Sequence, residues 1–189
     1  FTKSKITIKE DTYAAVYAAS KPGEKCIVCI LGTGSNCTYF DGMEIEQRVD
    51  SLGYVLMDEA SGNYYGKQLL KSYYFNSMPK ELAVKFASEY NLKADEIKEN
   101  IYRRENPNAY LASFSRFLIE HKSNLEFQKI IKIGLKRFIN HQILQFKNAD
   151  EVPIHFIGSI SFYLKDEIKK ALSKKKLTMG RIVQRPIDE

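Results

Sequence analysis

Tryptophan is absent, and cysteine, histidine and proline are scarce: three, three and five residues in a chain of 189. An odd number of cysteines with no secretory signal ahead of them argues against a disulfide scaffold and points to reduced thiols. Cys26 and Cys29 do form a C-x-x-C, but they sit in Cys26-Ile27-Val28-Cys29-Ile30, which reads as a strand. Side chains three apart on a strand point to opposite faces. Without a second C-x-x-C, the pair is poorly placed for a metal, and small core residues are the expected role. His121, His141 and His155 lie far apart, without metal-ligand spacing. His155 falls in an apolar run and reads as a hydrogen-bonded core histidine. No apolar run approaches the ~20 residues of a membrane-spanning helix, so no membrane partner is expected. No signal-peptide pattern opens the chain, and the expected location is cytoplasmic. The nucleophile elbow, the Walker phosphate loop and the dinucleotide-binding glycine fingerprint are all missing.

What is present suits one well-packed unit. Hydrophobic residues make up 44% and charged residues 28%, enough for a sizeable core under an ordinary polar surface. Mean hydropathy is −0.35 and the sequence pI about 9.1. The net charge of +6 sits partly near the end, in Lys169, Lys170, Lys174, Lys175, Lys176, Arg181 and Arg185. These residues decorate one helix and the turn after it, without the interleaved aromatics of a nucleic-acid surface. No nucleic-acid partner is therefore expected.

Along the chain, Lys5–Lys9 alternates like a short strand, and Asp11 caps an alanine-rich helix over Thr12–Ser20. Strands are expected at Cys26–Leu31, Cys37–Phe40 and Met43–Val49, the last two joined by Asp41-Gly42, a hairpin signal. Helices follow at Tyr64–Tyr74, Pro79–Tyr90, Ala94–Tyr102 and Asn108–His121. Phe127, Ile130, Ile131, Gly134, Leu135 and Phe138 then share one helical face, with Gly134 a close packing point. Pro153–Ile157 reads as a strand, Ile160, Leu164, Ile168 and Leu172 as a helical stripe, and Leu177–Val183 as a last strand. Strands, a long helical stretch over about 62–148, then strand–helix–strand predict a single α/β domain across 1–189.

Four places have the makings of a site. Ile30-Leu31-Gly32-Thr33-Gly34-Ser35-Asn36-Cys37 is a hairpin whose tip has almost no side chains. Its backbone can approach another body closely, and converging N–H groups there suit a phosphate. Gly53-Tyr54-Val55-Leu56-Met57-Asp58-Glu59-Ala60-Ser61-Gly62 sets two acids at the entry to a helix. They can serve a polyol ligand or simply the helix dipole. Asp11 can be an N-cap, a general base, or both. Ile157-Gly158-Ser159 is a strand-to-helix turn whose N-terminus can approach a nucleotide.

Together and in order, these pieces resemble one family, the N-acetylglucosamine kinases of the BadF/BadG-type ATPases, within the actin-like and sugar-kinase superfamily. The matching pieces are Asp11-Thr12-Tyr13-Ala14-Ala15, Gly32-Thr33-Gly34-Ser35-Asn36-Cys37, Met57-Asp58-Glu59-Ala60-Ser61 and Phe156-Ile157-Gly158-Ser159-Ile160. The resemblance implies a ribonuclease H-like ATPase lobe with a large helical insertion. It implies Asp11 as the base that takes a proton from the sugar hydroxyl. It implies Gly32, Thr33 and Gly34, with Gly158 and Ser159, on the ATP side, and Asn36, Gly53 and Asp58 on the sugar side. The implied reaction is ATP-dependent phosphorylation of N-acetylglucosamine or a related sugar, with Mg²⁺ bridging the phosphates. The family's opening phosphate loop, an Asp-Gly-Gly-Gly-Thr-like hairpin, is not found in these 189 residues. The chain is therefore expected to be the C-terminal lobe of a longer protein, inactive by itself. Met57 and Ala60 stand where the family usually has glycine, which puts the identity of the sugar in question.

Two rivals share parts of this pattern. An ATPase activator of a 2-hydroxyacyl-CoA dehydratase or benzoyl-CoA reductase would need cysteines that hold an iron–sulfur cluster. A sugar-binding regulatory module would need no ATP lobe. A homodimer is open through the basic tail or the helical layer.

Overall fold

The structure is a computed structural model that describes residues 11–185. The strand expected at Lys5–Lys9 lies outside the described residues. Among the described residues, five strands form one sheet: β1 (Cys26–Leu31), β2 (Ser35–Phe40), β3 (Ile45–Glu46), β4 (Ile154–Ile157) and β5 (Met179–Val183), in the order β3-β2-β1-β4-β5. β2 runs antiparallel to β1 and β3, whereas β4 runs parallel to both β1 and β5. The parallel pairing requires a crossover between β1 and β4. That connection passes through the helices α2 (Gly62–Tyr74), α3 (Lys80–Glu89), α4 (Ala94–Tyr102), α5 (Pro107–Ser113), α6 (Ser115–Glu120) and α7 (Leu125–His141).

The alternation of β1 sorts its side chains onto two faces. Ile27, Cys29 and Leu31 join the larger core with Phe156 and the helices, including Tyr65, Phe117, Phe127 and Phe138. Cys26 and Val28 face the other way, into a smaller cluster with Phe40, Ile157, Val183 and the buried Ala15, Val16 and Ala19. Those alanines belong to α1 (Asp11–Ala19), which covers the second face. The C-x-x-C pair is split between the two cores, as strand geometry requires. All three cysteines are buried and free.

α7 buries Phe127, Ile131, Gly134, Leu135 and Phe138, with Ile130 half-buried. Gly134 is a packing point: a Cβ there would stand 2.8 Å from Tyr64 Cε1 and 2.9 Å from Tyr65 Cε1. Three expected elements differ. The single helix expected over Asn108–His121 is two, α5 and α6, broken at Phe114. There, Phe114 N–H donates to Leu111 O and Phe117 N–H to Phe114 O, a 3₁₀ pattern, while the Ser115 hydroxyl takes the Ala112 carbonyl. The stripe from Ile160 to Leu172 divides into α8 (Ser159–Tyr163) and α9 (Lys165–Ser173). Lys122 Nζ donates to the Tyr163 carbonyl at that break. The strand expected at Met43–Val49 is only two residues long, after an Asp41 turn whose carboxylate accepts from Met43 N–H and Glu44 N–H. Among the described residues no helix is long and apolar enough to cross a membrane.

Candidate functional site

β1 and β4 lie side by side, parallel, and each runs at its carboxyl end into a glycine turn. The β1 turn is Gly32-Thr33-Gly34, and the β4 turn is Gly158. In sheets with parallel strands, ligands collect in the crevice beyond those carboxyl ends. The two turns touch. Gly158 has φ +112°, and a Cβ there would collide with the Leu31 carbonyl oxygen and stand 3.2 Å from Gly32 N. Both the backbone angle and the contact require glycine. Gly158 N–H donates to Val183 O at 2.9 Å, which fixes the turn to β5.

The acidic segment closes the other side of the tip. Asp58, 8% exposed, accepts from Ser35 N–H at 3.2 Å through Oδ1. Its Oδ2 accepts from Asn63 Nδ2 at 2.9 Å. That carboxylate lies so close to Gly34 that a Cβ there would meet Oδ2 at 2.9 Å. Asn63 Nδ2 also donates to Thr33 O at 2.8 Å, and its backbone N–H donates to the same carbonyl at 3.0 Å. Gly62 N–H donates to Gly32 O at 2.7 Å. Ser61 caps α2: its Oγ accepts from Tyr64 N–H and donates to Asp58 O at 2.6 Å. The start of α2 is thus bonded into the glycine tip. The Thr33 side chain is exposed, and the amides of Thr33 and Gly34 have no acceptor among the described residues.

This loop is conformationally unusual. Asp58 and Ala60 both have left-handed backbone, φ 69° and 61°. Glu59 between them turns away toward α7, with Oε1 at 3.7 Å from Arg137 Nη1. Left-handed backbone is rare for residues other than glycine, asparagine and aspartate. Ala60, at 0% exposure, has no side-chain hydrogen bond to compensate.

The expected site residues fall into place unevenly. Gly32, Thr33, Gly34, Asp58 and Gly158 converge, and Ser159 opens α8 beside them, exposed. Asn36 follows next on β2, half-buried, with Oδ1 accepting from Cys37 N–H at 2.7 Å and Gln47 Nε2 at 3.0 Å. Gly53 (φ +75°) lies in the loop leading to Asp58, where Met57 N–H donates to Gly53 O at 2.9 Å. Lys67 Nζ ties that loop to α2 through the Tyr54 carbonyl. Burial pushes the Lys67 ammonium below its usual pKa. Asp11 is the first residue of α1, and its side chain lies outside what the structure describes. Asn63, Lys67 and Gln47 were not expected from sequence. An asparagine in the first turn of a helix carries no signal for a partner thirty residues earlier.

The fit to the implied ligands follows from these groups. A tip with two available amides and the exposed Thr33 side chain suits a phosphate. Each Asp58 oxygen can accept a second hydrogen bond, so the carboxylate keeps capacity for a hydroxyl. No three His, Cys, Asp or Glu side chains converge among the described residues. Mg²⁺ here would be held largely by nucleotide phosphates and water, its usual mode.

The fold is shared with a kinase-named protein of known structure. The chain is similar to a proposed N-acetylglucosamine kinase from Porphyromonas gingivalis, with 35% identity over 93% of this chain and a TM-score of 0.87. A proposed N-acetylglucosamine kinase from Chromobacterium violaceum matches over 90% of the chain at 19% identity and a TM-score of 0.62, a likeness of fold alone. The chain spans about three fifths of each, 61% and 60%. No family model and no curated protein matches it.

Proposed function

We propose that this chain is the C-terminal lobe of an ATP-dependent sugar kinase of the ribonuclease H-like ATPase type, acting on N-acetylglucosamine or a related amino sugar or hexose. One observation carries the reading. Two glycine turns meet at the carboxyl ends of neighbouring parallel strands, and a buried carboxylate is bonded to one of them. The 35%-identical P. gingivalis structure supports it. In this reading Thr33, with Gly32 and Gly34, receives the phosphates, and Gly158 and Ser159 lie on the adenosine side. Asn36, Gly53 and Asp58 face the sugar, and Asp11 takes the proton of the attacking hydroxyl. Such chemistry asks the protein mainly for positioning and charge stabilisation. Helices α2 to α7 form the helical insertion, and a further lobe supplies the remaining phosphate contacts.

The test is a coupled ADP-release assay on the full-length gene product with Mg²⁺-ATP and a panel of hexoses and amino sugars. ADP formation that depends on one sugar is expected. Hydrolysis indifferent to every sugar would overturn the kinase reading in favour of an activator ATPase. No hydrolysis, with sugar still bound, would leave a binding module.

A further inference from the structure

Asn63 occupies an expensive position. Its side chain is 0% exposed, and its Oδ1 is buried with no hydrogen-bond partner among the described residues. A buried acceptor left unpaired destabilises a fold, so what keeps an asparagine here is the work of its other end. Its Nδ2 has two acceptors on two different segments: Thr33 O at 2.8 Å and Asp58 Oδ2 at 2.9 Å. The assignment of Oδ1 and Nδ2 follows from this, because both neighbours are acceptors. One nitrogen thus joins the turn read as phosphate-side to the carboxylate read as sugar-side.

We infer that Asn63 is a positioning residue that couples sugar binding to nucleotide binding. The inference rests on the kinase reading above. When a ligand on the Thr33 side fixes that carbonyl, Asn63 Nδ2 is fixed with it, and the Asp58 carboxylate is held in the orientation that accepts a hydroxyl. The same bond carries the effect in reverse, as linkage requires. The Ser35 N–H bond to Asp58 Oδ1 is a second tie to the carboxylate, but it comes from the β2 backbone and does not involve the Thr33 carbonyl.

The experiment is calorimetry on the full-length gene product, titrating N-acetylglucosamine with and without a non-hydrolysable ATP analogue and Mg²⁺. The wild type is expected to bind the sugar at least about fivefold more tightly in the presence of the analogue, within the ordinary range of coupling. Asn63→Ala is expected to bring that ratio to within about twofold of one, because the shared donor is gone. Asn63→Ser is the second variant should the alanine protein fail to give a cooperative melt. Its hydroxyl sits one bond short of Nδ2 and does not span both acceptors. A variant that folds and weakens both ligands while keeping the wild-type ratio would show a merely structural role and overturn the inference. A wild type that binds both ligands without coupling would overturn it with the kinase reading intact. Failure of the wild type to bind either ligand would overturn the reading and the inference with it.

Discussion

At the scale of single residues, two substitutions separate the demands of the tip from those of the acidic loop. Gly34→Ala places a methyl 2.9 Å from Asp58 Oδ2 and 3.3 Å from its Cγ. The carboxylate must shift, loosening its bonds to Ser35 N–H and Asn63. Overpacking of this kind costs about 1–3 kcal/mol. For a chain of this length the melting temperature is expected to fall by roughly 2–12 °C, and nucleotide and sugar affinity with it. A thermal melt with unchanged midpoint would show that the tip has room. Ala60→Gly should behave oppositely to most buried alanines. Left-handed alanine is strained by about 1–2 kcal/mol. Removing the buried methyl loses about 0.8 kcal/mol, and a glycine adds about 0.5–1 kcal/mol of unfolded-state entropy. The net change is expected within about 1 kcal/mol of zero. Ala15→Gly, buried in the interior of α1, should cost about 2 kcal/mol, from helix propensity plus the lost methyl. Urea unfolding of the two variants side by side checks this; equal losses would mean that Ala60 carries no strain.

At the scale of elements, the pairing of β4 with β5 depends on a side chain. The register jumps between Ile154↔Met179 and Phe156↔Ile182, a bulge opposite His155. His155 Nδ1 accepts the Arg181 N–H at 2.8 Å, a donor that the interrupted ladder would otherwise strand. Gly180 leaves space for the ring, since a Cβ there would strike Nδ1. Nδ1 as acceptor sets the proton on Nε2, which points to Glu24 Oε2 at 3.4 Å. Burial lowers the His155 pKa, partly opposed by Glu24 and reinforced by Arg181. Protonating Nδ1 would break the Arg181 bond. The unfolded chain takes up this proton near the ordinary value of about 6.5, the folded chain only at lower pH. His155 therefore contributes its full stability above that value and loses it as pH falls toward its lowered folded pKa. His155→Gln is expected to flatten the stability profile between about pH 7 and 5 relative to wild type, measured by urea unfolding at each pH. An identical slope in both proteins would place the acid sensitivity elsewhere. Because Val183 O anchors Gly158 N–H, this bulge also sets the turn on which the adenosine side of the site is proposed.

At the scale of the whole molecule, the sheet is sealed between two cores, and the thiols report it. Cys29 and Cys37 face each other across β1 and β2 with sulfurs 3.5 Å apart. Burial pushes Cys29 well above the usual thiol range and Cys26 up to about 12. Thiolate is the reactive form, and Cys37 is shielded by its burial, so all three thiols should resist an aromatic disulfide reagent at pH 8 and react together on unfolding in urea. A fast-reacting thiol in the native chain would reveal local opening of the β1–β2 hairpin.

Much of this molecule was readable from local pattern. β1 carries the bounds expected from its apolar run, and α4 those expected from Ala94–Tyr102. The face of α7 that packs on Tyr64 and Tyr65 was set by periodicity, including the glycine at its centre. The glycine turns were visible because glycine marks its own requirement in the sequence. Other features were decided by distance. Neither the break at Phe114 nor the division between α8 and α9 has a proline or glycine to signal it. The first follows from 3₁₀ turns that bury Phe114 and Phe117 together, and the second coincides with Lys122 reaching the Tyr163 carbonyl from another helix. Left-handed Ala60 contradicts its own propensity and persists because Ser61 and α2 hold the loop. The sequence by itself determined the alternating faces of β1, the helical stripes and the glycine tips, since each is set by neighbours a few bonds away. Only the tertiary structure decided that Thr33 and Asp58 share Asn63, that His155 completes a strand, and that Gly158 rests on Leu31. Except for the Asn63–Asp58 bond, those contacts join residues 26 to 127 positions apart, and local pattern carries no information about such partners.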